Sequence, residues 1–328
     1  MSKVLVTGGG GFIGSHLVDK LLAMGYEVTA IDIQKDIPMN LRHNIKNRKF
    51  TYIPGDVTDK EFLERVISED EYEMIYHLAA MVGVKNYVEH PLKTIDVNVI
   101  GTRNIVEIAL KRDIKILFTS TSEIFGKNPN VPWDEDADRV LGSTRIHRWT
   151  YSTSKALCEH MLFAVYERYG LPIVIVRYFN VYGPRQKPIF VIPSMIKRVL
   201  NDQNPIVFDD GEQTRSPTYI EDAIEGTILA ATKKVAEGEA FNIGSNFEMK
   251  IKEIAELIIR LAGMEGKLYP EFREGKEIYK SYEDLKRRIP KVEKAKRLLG
   301  WEAKTTPEEG IKKTLEWYKV HPEYLTDF

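Results

Sequence analysis

One cysteine in 328 residues, Cys158, excludes an intrachain disulfide and any thiolate metal cluster. A lone buried thiol is ordinarily a small apolar filler, and Cys158 is read as one. The seven histidines have no ligand spacing: His43, His90, His147 and His160 are scattered, so no metal site is expected. No apolar run reaches the length of a membrane span. Charge of neither sign dominates, with 47 Lys and Arg against 48 Asp and Glu and a formal net charge of −1. Such a balance provides no global field to draw in nucleic acid or an anionic membrane, although a local basic pocket for a phosphate is compatible with it. Internal repeats, low-complexity tracts and flexible linkers are also missing. The start, Met1-Ser2-Lys3, runs straight into a strand, and a cytoplasmic protein is expected.

What is present is alternation. Val4–Val6, Val28–Ile31, Phe50–Ile53, Met74–His77 and Ile114–Phe118 have the composition of short buried strands, with helical patterns such as Phe12–Met24 between them. A long helix is expected over Tyr151–Tyr169 and a strand over Ile173–Val176. Strands alternating with helices predict an α/β fold, a doubly wound parallel sheet of Rossmann type. Beyond about Asn180 the texture changes, and short strands (Ile206–Phe208, Ala240–Ile243) mix with helices and Pro or Gly breaks. The expected division is a dinucleotide-binding part over 1–180, with later returns, and a smaller interleaved α/β substrate part over 181–328.

The first strand leads into Thr7-Gly8-Gly9-Gly10-Gly11-Phe12-Ile13-Gly14. Gly8, Gly11 and Gly14 have the spacing of a dinucleotide turn, which needs a tight bend, close backbone approach to a pyrophosphate and close helix–strand packing. The helix opening at Phe12 and Ile13 offers its free N–H groups to the phosphates. Asp32 ends the second strand, where an acid accepts hydrogen bonds from the adenosine ribose and repels a 2′-phosphate. Ile33-Gln34 supplies no neighbouring cation, so NAD is expected rather than NADP, with Lys35 the residue that argues the other way. Asp56 and Val57, after the third strand, are placed near the adenine.

Tyr151 and Lys155 stand four apart on one helix face. An ammonium and a positive nicotinamide beside the phenol would lower its pKa and make Tyr151 a general base. By itself Tyr-x-x-x-Lys is also an ordinary surface pair. Here it accompanies Thr119-Ser120-Thr121-Ser122-Glu123-Ile124-Phe125-Gly126, at the carboxyl edge where open α/β sheets bind ligands. His77-Leu78-Ala79-Ala80, Asn98 and Arg177-Tyr178-Phe179-Asn180-Val181-Tyr182-Gly183-Pro184-Arg185 complete the set. Together these motifs resemble the extended short-chain dehydrogenases, within them the nucleotide-sugar epimerase, dehydratase and decarboxylase group, from Val4 to about Tyr318. The resemblance implies that Thr121, Tyr151 and Lys155 oxidise the sugar at C4. It adds Leu78, Ala79, Ala80 and Asn98 to the cofactor residues, and Ser122, Asn180, Arg185 and Arg215 as contacts of a nucleotide sugar, expected to be UDP-linked. Pro217 departs from the group, which usually has an aromatic residue there. The group commonly pairs as a homodimer through the helix of the catalytic Tyr; Leu157, Met161, Leu162 and Val165 offer apolar material, which core packing would explain equally well.

The step after C4 oxidation separates the members. Ser122-Glu123 is similar to the uronate decarboxylases and to the GDP-mannose dehydratases, whereas dehydratases typically carry Asp-Glu and simple 4-epimerases lack the acid. Arg148-Trp149-Thr150-Tyr151 is similar to the stretch before the catalytic Tyr in UDP-glucuronate decarboxylases, and Arg288, two residues ahead of Pro290, matches their active-site Arg. An Arg can hold a carboxylate or a developing enolate, and Glu123 could manage a proton nearby. Decarboxylation of UDP-glucuronate to a UDP-pentose is therefore expected. Met81-Val82-Gly83-Val84-Lys85 looks more like the epimerases, so a 4-epimerase is the alternative, followed by a 4,6-dehydratase. A non-catalytic dinucleotide sensor is disfavoured because Tyr151 and Lys155 are both present, and acyl transfer because no Gly-x-Ser-x-Gly elbow frames Ser120 or Ser122.

Overall fold

A computed structural model describes residues 2–275 and 285–326. Seven strands form one parallel sheet: β1 (Lys3–Thr7), β2 (Glu27–Asp32), β3 (Phe50–Pro54), β4 (Met74–His77), β5 (Lys115–Thr121), β6 (Ile173–Tyr178) and β7 (Glu239–Ile243). Their order across the sheet is β7-β6-β5-β4-β1-β2-β3. The order reverses between β1 and β4, and the carboxyl ends on either side of that point open a crevice.

Alternation along each strand builds a core on either face. Val4, Val6, Val28, Ala30, Val174 and Val176 join one core, covered by the helices Phe12–Ala23 and Ile220–Thr232. Leu5, Ile31, Ile75, Ile116, Phe118, Ile173 and Ile175 face the other way, under the helices Lys60–Ser68, Gly101–Arg112 and Arg148–Tyr169. Near-continuous apolar strands are what two covered faces require.

Three departures from the sequence expectation matter for the site. Strand β5 runs on past the apolar Ile114–Phe118 to Thr121, because Thr119, Ser120 and Thr121 stay in register with Val176, Arg177 and Tyr178 of β6. The long helix begins at Arg148, three residues before Tyr151, which puts Arg148 in its first turn. The strand expected in the smaller part, Ala240–Ile243, pairs with β6 as the edge of the main sheet.

Short ladders complete the molecule: Val181–Tyr182 with Thr218–Tyr219, Thr214–Arg215 with Met249–Lys250, and Ile206–Phe208 with Glu271–Arg273. A third apolar cluster, Ile124, Phe125, Trp133, Trp149, Ala156, Phe179 and Leu285, packs beneath the end of β5. Among the described residues no helix is long and apolar enough to cross a membrane.

Candidate active site

At the nucleotide end the crevice is backbone. Gly8 has φ +69°, and a Cβ there would stand 2.7 Å from the Ala79 nitrogen. A Cβ on Gly14 would meet the Gly8 carbonyl oxygen at 2.2 Å, so helix and turn touch only because both residues are glycine. The helix after Gly11 has no side-chain cap, which leaves its first-turn N–H groups without that partner, as a phosphate cradle requires. Asp32 Oδ2 accepts from the Gly10 N–H at 3.0 Å, which ties the end of β2 to the turn. Asp56 Oδ1 accepts from the Thr58 N–H at 2.9 Å and so also shapes its own turn. These features fit a dinucleotide.

A buried hydrogen-bond chain binds this turn to the helix of Tyr151. Thr102 Oγ1 donates to the Asn98 carbonyl at 2.6 Å, so His77 Nε2, 3.1 Å away, is the donor to Thr102. His77 Nδ1 then accepts from Thr7 Oγ1 at 2.7 Å, and Thr7 Oγ1 accepts from the Ala79 N–H. Burial, then the Lys155 charge, pushes the imidazole down to about 3, so this neutral tautomer persists at physiological pH. Asn98, in a π-helical turn (Asp96–Ile100), donates to Ser154 and accepts from the Met81 N–H. Cys158 is buried and turns its thiol to the Asn98 carbonyl at 3.2 Å.

At the sugar end the crevice is charged side chains. Thr121 caps a single 3₁₀ turn, Ser122–Phe125, by accepting from the Glu123 N–H at 3.2 Å. Its hydroxyl is also hydrogen-bonded to Tyr151. Glu123 stands between two guanidiniums: Arg148 Nη1 lies 2.5 Å from Oε2 and Arg288 Nη1 3.5 Å from Oε1. Burial alone would raise the Glu123 carboxyl; Arg148 and then Arg288 outweigh it, helped by Arg148's hydrogen bond and by Arg215, and hold it below the usual carboxylate range. Glu123 is thus an acceptor at neutral pH rather than a proton donor. Arg288 reaches this place because its segment is stitched down on both sides. The Trp133 N–H donates to the Ile289 carbonyl, the Lys291 N–H to the Trp133 carbonyl, and the Thr214 N–H to the Lys286 carbonyl. Arg215 Nη1 holds the Leu285 carbonyl at 2.8 Å.

The Tyr151 phenol differs from the sequence expectation. It is pushed well above the ordinary tyrosine value, first by burial and then by the Glu123 charge; the Thr121 hydrogen bond and the charges of Arg288 and Arg148 only partly offset this. Lys155 is buried with its ammonium 4.2 Å from the Phe118 ring centroid, and burial lowers it to about 8 despite Cys158 and Glu159. Burial thus favours the neutral form of the amine and of the phenol alike.

Of the predicted substrate contacts, Ser122, Asn180 and Arg215 are drawn in around this end. Asn180 has φ +43°, which Asn tolerates better than most residues, and its buried Oδ1 has no hydrogen-bond partner; neither does the Ser122 hydroxyl. Unpaired buried polar atoms clustered in a cleft fit a polar ligand. Arg185 is engaged elsewhere, 2.8 Å from Asp19 on the first helix. One residue of the site, Tyr87, has no counterpart in the sequence expectation, and Arg148, expected only as part of a motif, gains a role. Tyr87 stacks on Tyr151 at 5.7 Å with planes 16° apart, and Arg148 enters as the main partner of Glu123. Resemblance singles out the Arg148-Trp149 stretch, but the contact of Arg148 with Glu123 is not visible in a linear pattern. Among the described residues no group of three or more His, Cys, Asp or Glu could hold a metal ion.

A parallel sheet with a glycine turn at one end of its crevice and a Thr–Tyr–Lys set at the other defines the class: a dinucleotide-dependent enzyme of the extended short-chain dehydrogenase type. Residues 5–314 match the GDP-mannose 4,6-dehydratase family, and the chain belongs to it. It is 39% identical to a UDP-N-acetyl-α-D-glucosaminuronate decarboxylase of Bacillus cytotoxicus, over 97% of this chain and 98% of that one. Among solved structures it resembles a UDP-glucose 4-epimerase of Thermotoga maritima bound to UDP-glucose (TM-score 0.88, 32% identity, 98% and 99% of the two chains). It also resembles a UDP-glucuronic acid 4-epimerase of Bacillus cereus in complex with UDP-glucuronic acid and NAD (TM-score 0.86, 29% identity, 97% and 99%).

Proposed function

We propose that the chain is an NAD-dependent decarboxylase of a UDP-linked hexuronic acid, UDP-glucuronate first, yielding a UDP-pentose and CO₂. The observation that carries this reading is the placement of Arg288 and Glu123 beside the Thr121–Tyr151 pair, where a sugar oxidised at C4 would present its C6 carboxylate. The decarboxylase relative supports it and makes the 2-acetamido uronate the second substrate to try.

Bound NAD⁺ supplies the hydride acceptor that turns C4 into a ketone, and later the hydride that reduces it again. The glycine turn at Gly8, Gly11 and Gly14, with the N–H groups of Phe12 and Ile13, holds the diphosphate, and Asp32 the adenosine ribose. Asp56 and Val57 would stand by the adenine and Leu78, Ala79 and Ala80 by the path toward the nicotinamide, while Asn98, buried, would act through its bonds to Ser154 and the Met81 N–H. Tyr151 accepts the proton of the C4 hydroxyl, with Thr121 orienting both oxygens. Since burial holds the phenol high, proton removal depends on added positive charge at the site as well as on Lys155. The C5–C6 bond then breaks, its electron pair moves into the C4 carbonyl to give an enolate, CO₂ leaves, and the enolate returns to the ketone as C5 takes up a proton from solvent water; Tyr151 gives its proton back to the C4 oxygen when the ketone is reduced. Arg288 orients the carboxylate before the break and the enolate oxygen remains near Tyr151 and Thr121. Residues 181–328 bind the nucleotide sugar, Arg215 at the diphosphate, together with Asn180 at the diphosphate and Ser122 at the sugar from the preceding part.

The alternative is a nucleotide-sugar 4-epimerase, favoured by Met81–Lys85 and by the likeness to the Thermotoga enzyme. Incubation with UDP-glucuronate, UDP-N-acetylglucosaminuronate and UDP-glucose, followed by mass spectrometry and NMR of the products, separates the two. Loss of CO₂ from an acid supports decarboxylation; unchanged mass with C4 inverted replaces it with epimerisation.

A homodimer is part of the proposal. Leu157 on the long helix and Leu92, Ile95 and Ile100 on the helical stretch beside it are exposed apolar side chains, the material of an intersubunit helix bundle. Leu162 is buried in the chain's own core and does not serve, while Met161 and Val165 pack partly against that core. Light scattering of Leu157→Glu beside the native protein tests it: a dimer that becomes a monomer is expected, and a native monomer contradicts it.

A further inference from the structure

Arg148 is almost fully buried, with 1% of its surface exposed, yet it lies within a charged cluster rather than on the surface. Its guanidinium stands 5.6 Å from the Tyr87 ring centroid and 5.4 Å from that of Trp149. Tyr87 in turn stacks on Tyr151. One cation therefore touches both the carboxylate of Glu123 and the aromatic stack that fixes the phenol. The two arginines at Glu123 are not equivalent in their contact, which is close for Arg148 and loose, at 3.5 Å, for Arg288. Arg288 Nε is also buried without a hydrogen-bond partner, a feature that by itself does not set the two apart. A buried guanidinium with an unused donor is costly to leave so, and it is poised for a further acceptor.

We infer that Arg148 is a positioning residue for acid recognition: by neutralising Glu123 it keeps Arg288 available for the carboxylate of the sugar. This rests on the reading that the substrate is a uronate. If Arg148 is removed, Arg288 is the strongest partner left for the Glu123 carboxylate among the described residues, ahead of Arg215. Arg288 would close on Glu123, and an incoming carboxylate would meet a pair already neutral, with the Glu123 charge nearby. The loss would fall on acids and spare neutral sugars. A merely structural role for Arg148 would weaken both alike.

The test separates binding from turnover. NAD-loaded Tyr151→Phe protein is titrated with UDP-glucuronate and with UDP-glucose by calorimetry, and the ratio of the two affinities is the readout. Arg148→Met in that background is expected to lower the preference for the acid by about 10-fold or more, with UDP-glucose binding nearly unchanged. Adding Glu123→Gln removes the anion that captures Arg288, so Arg148→Met should then cost little further preference. Arg148→Lys, which keeps the charge but not the planar fork, should retain part of the preference and controls for folding. Equal weakening of both ligands by Arg148→Met, or an undiminished effect in the Glu123→Gln background, overturns the inference. Tight binding of the acid without CO₂ release by native enzyme would overturn the proposed reaction and leave the role of Arg148 standing. No preference for the acid in the native Arg148 background would overturn both.

Discussion

The two ends of the crevice are made of different material. At the nucleotide end a contiguous run, Gly8 to Gly14, shapes a surface of backbone, and what matters is the absence of side chains. At the sugar end Glu123, Arg148 and Arg288 come together from a 3₁₀ turn, a helix start and a stitched-down segment more than a hundred residues further on. Backbone recognises a phosphate by close approach and tolerates no added atoms. Clustered charges recognise an acid by balance, and removing one redistributes the others. The first design is local; the second is long-range and, in the function proposed, sets the reaction.

If that contrast holds, damage at one end should leave the other working. The largest effect is expected from Tyr151→Phe, which removes the proposed proton acceptor while the ring still stacks on Tyr87: turnover should fall by at least about 100-fold with NAD affinity retained. Near-native turnover in a steady-state assay would remove Tyr151 from the chemistry. Next is Arg288→Ala, expected to cost about 30-fold or more in kcat/KM for the uronate without weakening NAD, with Arg288→Lys recovering only part. An equal loss of NAD affinity would mean the two ends are one unit. In the opposite direction, Gly14→Ala forces a Cβ against the Gly8 carbonyl and should lower NAD affinity by about 10-fold or more, whereas Asp32→Ala should weaken NAD more than NADP by a smaller factor. Calorimetry with both cofactors checks this pair, and tighter NADP binding by the native protein would contradict the role given to Asp32.

The smallest effect sharpens the picture of Lys155. Its folded pKa of about 8 lies below the ordinary lysine value of 10.5, so between these values the unfolded chain binds more protons than the folded one. Stability contributed by this group is therefore present above 10.5 and is lost as pH falls through 8. Denaturant unfolding of the cofactor-free native and Lys155→Met proteins should give a stability difference that changes across this window. A difference independent of pH would show that Lys155 is not desolvated as described.

What was legible in the sequence follows the same contrast. The alternating strands and helices, the glycine turn, Asp32 and the Tyr151–Lys155 spacing are carried by residues close together in the chain. The polar end of β5 was not, because Thr119–Thr121 lack an apolar pattern and stay extended only through their pairing with β6. Tyr87 was hidden, and the role of Arg148 within its motif was too, for a related reason: their importance lies in contacts with Tyr151 and Glu123 made by the tertiary fold. Arg288 was found by resemblance, since nothing local distinguishes it from the neighbouring Arg287, which is exposed and paired with Glu248 at 2.8 Å. Arg185 shows the converse. A motif placed it at the substrate, and the backbone, with φ +68° at that residue, delivers its side chain to Asp19.

The most direct test of the central claim uses UDP-glucuronate labelled at C6 and the NAD-loaded native enzyme, with headspace label and remaining nucleotide sugar measured together. Release of the label as CO₂, in step with the appearance of a UDP-pentose and abolished by Tyr151→Phe, is the predicted result. Label retained in a nucleotide sugar of unchanged mass, with C4 inverted, would contradict it.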